Sequence, residues 1–249
     1  MIAKLPKILE KEPLVEAVFE VRMGGEPLLA DLLPGVLYGQ LEPRPELQRL
    51  PAAEIPKPIR AADPNLVFAP LVRLNWHEFT ISIGDRSFVV ACKLPYPKWP
   101  RFKEAVLDIV GKVAAIGISG SVERYSLKYV NLIEAPTISQ QINKINISVK
   151  VGDVQVNEEH VSVQVHRREK DTIHILSIIT GAEGKLGDDR QISGVVVDID
   201  SIRIGQFPNF EDFASQLEPA VETLRQENKV KFFSCLTDAT INDMGPTYD

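Results

Sequence analysis

Lys93-Leu-Pro-Tyr-Pro-Lys-Trp-Pro-Arg-Phe102, running on to Ile116, and then Glu123-Arg-Tyr-Ser-Leu-Lys-Tyr-Val-Asn131 decide how this chain is read. Three prolines make the opening a turn, because each fixes φ and removes a backbone donor. From Arg101 the apolar residues Phe102, Val106, Ile109, Val110 and Val113 recur at helical spacing and mark one buried face. Gly117, Ser119, Gly120 and Ser121 break the helix. The next segment alternates with the two-residue period of a strand. Tyr125, Leu127, Tyr129 and Asn131 share one face; Arg124, Ser126, Lys128 and Val130 share the other.

Working outward, the same plan recurs at the far end. Ser193–Arg203 reads as a strand, and Phe207-Pro-Asn-Phe-Glu-Asp-Phe213 opens a second long helix. Asn209 is the predicted N-cap, with Glu211 and Asp212 in the first turn, where the helix dipole favours acids. Phe210, Phe213, Leu217, Val221 and Leu224 form its apolar stripe, and Pro219 predicts a kink or a later start. The fold class expected is α+β: a largely antiparallel sheet of about eight strands on two long helices. Residues 1–134 and 135–249 then read as two strand–helix halves, either a degenerate duplication or one continuous domain that uses a common arrangement twice.

Before the helix, Leu14-Val-Glu-Ala-Val-Phe-Glu-Val-Arg22 alternates, with Val15, Ala17, Phe19 and Val21 on its core face. Val72–Ile83 and Ser87–Lys93 flank Gly84-Asp85-Arg86 as a hairpin. Residues 27–70 hold 9 of the chain's 18 prolines, so neither a long helix nor a central strand is expected there. A short helix at Leu28–Leu33 should stop before Pro34, with extended chain beyond Gln40. Ala135–Gln141 reads as a connector; Asn146–Val151, Val161–Arg167 and Thr172–Thr180 as strands; Gly181–Asp189 as a mobile loop. Val230–Leu236 reads as a short apolar segment and Thr237–Asp249 as a loose tail.

The 249 residues carry a net charge of −6, which argues against non-specific binding to nucleic acid or anionic membrane. No apolar run approaches the roughly 18 residues of a membrane span. Cys92 and Cys235 follow no metal-ligand spacing and read as buried thiols of a cytoplasmic protein. No cofactor is expected.

Pro13-Leu-Val-Glu-Ala-Val-Phe-Glu-Val-Arg22 and Glu123-Arg-Tyr-Ser-Leu-Lys-Tyr-Val-Asn131 resemble the two motifs of a sporadically distributed prokaryotic family of uncharacterised proteins of about this length. The resemblance implies no activity or catalytic residue. The family's patchy distribution resembles that of mobile or defence-associated genes.

Candidate chemistry is sparse. Asp198 and Asp200 form a D-x-D whose carboxylates share one strand face, as a metal–nucleotide site requires, but the companion motifs are missing. His166 and His174 are symmetric about Lys170; a hairpin turning there would set them opposite each other as a metal pair. Glu16, Glu20, Arg22, Arg124 and Lys128 lie on the polar faces of the two motif strands. They would form a cross-strand ladder or a charged binding face if those strands pair. The leading expectation is a non-enzymatic interaction or regulatory module that binds a protein partner through residues 27–70 and an open sheet face. The alternatives are a small-ligand binder with an apolar pocket between sheet and helix, and a metal-dependent nucleotide-handling enzyme on Asp198/Asp200. A homodimer formed through a sheet edge is compatible with the pattern.

Overall fold

The computed structural model describes residues 4–186 and 190–248. In chain order the elements are β1 (Ile8–Leu9), β2 (Leu14–Met23), α1 (Leu29–Gln40), β3 (Glu46–Arg49), α2 (Lys57–Ala62), β4 (Pro70–Trp76), β5 (Phe79–Gly84), β6 (Ser87–Cys92) and α3 (Trp99–Ala114). Then come β7 (Val122–Glu134), α4 (Ile138–Ile142), β8 (Lys150–Val151), β9 (Val154–Gln155), β10 (Ser162–Glu169), β11 (Thr172–Leu186), β12 (Arg190–Phe207), α5 (Phe210–Ser234), α6 (Asp238–Asp243) and β13 (Pro246–Thr247). The fold is α+β. Nine strands form one antiparallel sheet in the order β10-β11-β12-β7-β2-β6-β5-β4-β3.

The chain divides into two compact units. One comprises Glu16–Leu127 and Ile202–Thr223; the other comprises Met1–Val15, Lys128–Ser201 and Leu224–Asp249. The boundary expected at residue 134 falls inside the second of these.

In the first unit Ala17, Phe19 and Val21 of β2 are buried as read and Met23 extends that face, while Val15 ahead of them is half-buried. The α3 stripe is buried at Phe102, Val106, Ile109, Val110 and Val113, and the α5 stripe at Phe210, Phe213, Leu217 and Val221. Aromatic rings meet there, Tyr125 on Phe213 at 5.3 Å and Phe210 on Phe213 at 5.4 Å between centroids. Asn209 caps α5 as predicted, accepting from the Asp212 N–H at 2.8 Å.

Prolines interrupt less than expected. Helix α1 runs straight through Pro34 for 12 residues. Pro34 removes one helical hydrogen bond, but Leu29, Leu33 and Leu37 are buried at four-residue spacing, and that burial outweighs a loss of about 3 kcal/mol. Pro219 likewise sits inside the 25-residue α5, on an exposed side where water can reach the carbonyl left unpaired. The apolar segment at 230–236 is largely the last turns of that helix rather than a separate element. Residues beyond Gln40 are not simply extended: they form β3, a 3-10 turn at Pro51–Glu54 and α2.

The expected strand Val72–Ile83 is two strands. A two-residue turn at His77-Glu78 separates β4 from β5, with Trp76 opposite Phe79 and His77 at φ 49°. Neither residue is a strong turn marker, so the pattern hid it.

In the second unit Val195, Val197 and Ile199 pack with Ile133, Ile145, Ile178, Phe232, Phe233, Leu236 and Met244. The connector after Ala135 contains α4, capped by the Thr137 side chain. Asn146–Val151 is strand only at its end, where β8 pairs with β9. The loop expected at Gly181–Asp189 is strand through Leu186, with Gly187–Asp189 outside the described residues. Gly181 supplies φ 71° and its N–H donates to Gln141 Oε1 at 2.6 Å, so β11 continues past it. The tail is also ordered: Thr237 caps α6, and β13 pairs antiparallel with β1.

Candidate functional site

The charged residues of the two motif strands are brought together in part. In the first unit Arg124 Nη2 donates to Glu20 Oε2 at 2.8 Å, and Arg22 Nε donates to the same oxygen at 3.0 Å. Arg22 also lies over the Phe68 ring, 4.2 Å from its centroid. Glu16 is exposed and takes no part in these pairs. In the second unit Lys128 Nζ pairs with Asp198 Oδ2 at 3.0 Å. These groups are half-buried and answer one another, which is what neighbouring strands with opposite charges do.

Asp198 and Asp200 do share a face, opposite the buried Val197 and Ile199. The position beside Asp198 is held by a lysine ammonium. Among the described residues no group of three or more His, Cys, Asp or Glu side chains is placed to hold a metal ion.

The histidine pair is corrected by one residue of register. The β10–β11 turn is Lys170-Asp171, with Glu169 opposite Thr172, so His166 faces Ile175 and Arg167 faces His174. A slip of one residue reverses a strand's faces, and the two rings therefore lie on opposite sides of the hairpin. His166 is exposed, its Nε2 3.0 Å from Gln164 Oε1. His174 is 1% exposed.

His174 belongs instead to a polar cluster that the sequence did not single out. Its Nδ1 is 2.9 Å from Ser201 Oγ, and Asn228 Nδ2 donates to the same hydroxyl at 3.0 Å and to the Ile199 carbonyl at 2.9 Å. Serine beside histidine is the geometry of an activated nucleophile. Ser201, however, is 0% exposed and Asn228 2%, so no substrate reaches it in this conformation. The cluster satisfies buried polar groups where β11, β12 and α5 meet. Its members come from three elements, and no local spacing announces them.

The proline-rich segment is tied down at one buried ion pair in the first unit. Arg60 donates to Asp85 through Nε at 2.9 Å and Nη2 at 3.2 Å, and through Nη1 to the Ile55 carbonyl. Both side chains are about nine-tenths buried. The Leu29 N–H donates to the Asp85 carbonyl at 2.9 Å. Asp85, read only as a turn former, thus anchors both α1 and α2. The segment still leaves large apolar side chains in water: Tyr38 is 39% exposed, Leu47 46% and Ile59 54%.

An open cleft of about 440 Å³ in the second unit is lined by Glu134, Pro136, Gln140, Asn143, Lys144 and Thr240 among others. Ala135, Pro136 and Ala239 give it an apolar lining beside these polar groups. Neither cysteine is activated. Burial pushes the Cys92 thiol up to about 12, helped by the Glu78 carboxylate, and burial also raises Cys235. Among the described residues no helix is long and apolar enough to cross a membrane. No protein-family model matches the chain, and no curated protein matches it.

Proposed function

We propose that this protein is a non-enzymatic interaction or regulatory module that binds a protein partner through residues 27–70. One observation carries the reading. A segment held by a buried Arg60–Asp85 pair nonetheless presents Tyr38, Leu47 and Ile59 to water. Ordered apolar side chains lose little conformational entropy on binding and make effective anchors. The resembled family's patchy distribution, like that of mobile or defence-associated genes, supports placing the module in such a system. The two free, unactivated thiols favour a reducing cytoplasmic setting.

The test is capture of partners from the native host, followed by titration of the purified partner by calorimetry. Leu47→Glu with Ile59→Glu should weaken that titration at least tenfold while leaving circular dichroism unchanged. Equal affinity for the wild type and the double variant overturns the assignment.

A further inference from the structure

Among the described residues, strand β10 ends the sheet, with β11 as its one neighbour. The Thr180 N–H donates to the Val161 carbonyl at 2.9 Å, and the register continues Ser162 opposite Ile179 and Val163 opposite Ile178. In an antiparallel ladder, hydrogen-bonded and non-hydrogen-bonded pairs alternate. Val163, Val165, Arg167 and Glu169 therefore turn their backbone groups toward β11. Ser162, Gln164, His166 and Arg168 turn theirs toward the free edge. The strand holds eight residues without proline or glycine, and Val165 is 49% exposed. Such an edge is a template for another strand.

We propose that the occupant is β10 of a second copy of this chain, paired antiparallel about a two-fold axis at Val165. Only one symmetric register engages all four outward residues of each copy. It sets Gln164 opposite His166 and Ser162 opposite Arg168 as hydrogen-bonded pairs. Between them, Val165 meets its own copy and Val163 meets Arg167. No direct pair joins like charges, and the arginines of the two copies lie at opposite ends of the ladder. The sequence of β10 thus complements itself under the commonest oligomer symmetry. An eight-residue edge is smaller than a standard interface, so the dimer forms in proportion to concentration.

Light scattering across a concentration series should show the mass rising from 27.7 kDa toward twice that value. Gln164→Pro deletes an outward N–H while sparing the bonds to β11, and should weaken association at least tenfold with unchanged circular dichroism. Val165→Cys places two thiols across the axis and should give a disulfide-linked dimer on oxidation, well ahead of Ser162→Cys. That cross-link decides the matter if the proline variant fails to fold. A wild type that stays at 27.7 kDa, a dimer indifferent to Gln164→Pro, or equal cross-linking at positions 162 and 165 overturns the proposal.

Discussion

Strands β3 and β10 close the same sheet, yet they treat their free edges in opposite ways. In β3 the Leu50 N–H donates to the Leu71 carbonyl at 2.9 Å, so Leu47 and Arg49 are its outward residues. The next positions of that outward series are Pro45 and Pro51. A four-residue strand stopped at both ends by residues without an N–H cannot extend a ladder. Its exposed feature is a side chain, Leu47. In β10 the series Ser162, Gln164, His166, Arg168 is complete, and the exposed feature is the backbone itself. One edge thus exposes a side chain, and the other a run of main-chain donors and acceptors.

The largest effect should come from unpinning the guarded end. Arg60→Ala leaves the Asp85 carboxylate buried without its cation, which costs about 3–5 kcal/mol. The denaturant midpoint should fall accordingly; a change within about 1 kcal/mol would mean that the proline-rich segment does not depend on this pair.

A smaller change should make the two edges alike. Pro45→Val restores an outward N–H beside β3 and should raise self-association several-fold by sedimentation. An unchanged sedimentation profile would remove the proline from the explanation of the difference.

The smallest effect concerns pH at the open end. The Lys231 ammonium, donating to Glu169 at 2.6 Å, holds that carboxyl below its ordinary value of 4.5, with Arg167 assisting. A depressed carboxylate contributes its full stabilisation above the ordinary value and loses it as pH falls through the lowered one. Lys231→Met should therefore flatten the stability–pH curve below pH 4.5 and leave its shape near neutrality unchanged. An identical acid limb in both proteins would show that Glu169 does not sense Lys231.

Much of the fold was legible because it rests on periodicity. The stripes of α3 and α5 predicted their buried faces residue by residue, and the alternation in β2 did so from Ala17 onward. What was missed rests on single residues acting against their averages. Pro34 is outweighed by three buried leucines, and His77-Glu78 turns the chain without glycine or proline. The His166–His174 pairing failed by one residue, because a two-residue turn and a turn centred on Lys170 look the same in sequence. Of the site, the charges on β2 and β7 were legible, since alternation assigns faces. Arg60 with Asp85, and His174 with Ser201 and Asn228, were not, because partners 25 or more positions apart are joined only by the fold.

The interleaved make-up of the two units has a consequence for how the protein is made. Residues Ile202–Thr223 complete the unit that begins at Glu16, and β13 completes the pairing of β1. A chain emerging from the ribosome in order can close neither unit early. Phe88 waits for Phe210, and Tyr125 for Phe213, until more than 80 further residues have been made. Nascent chains of this protein should need shielding until residues 202–223 have emerged, whatever the finished molecule's stability.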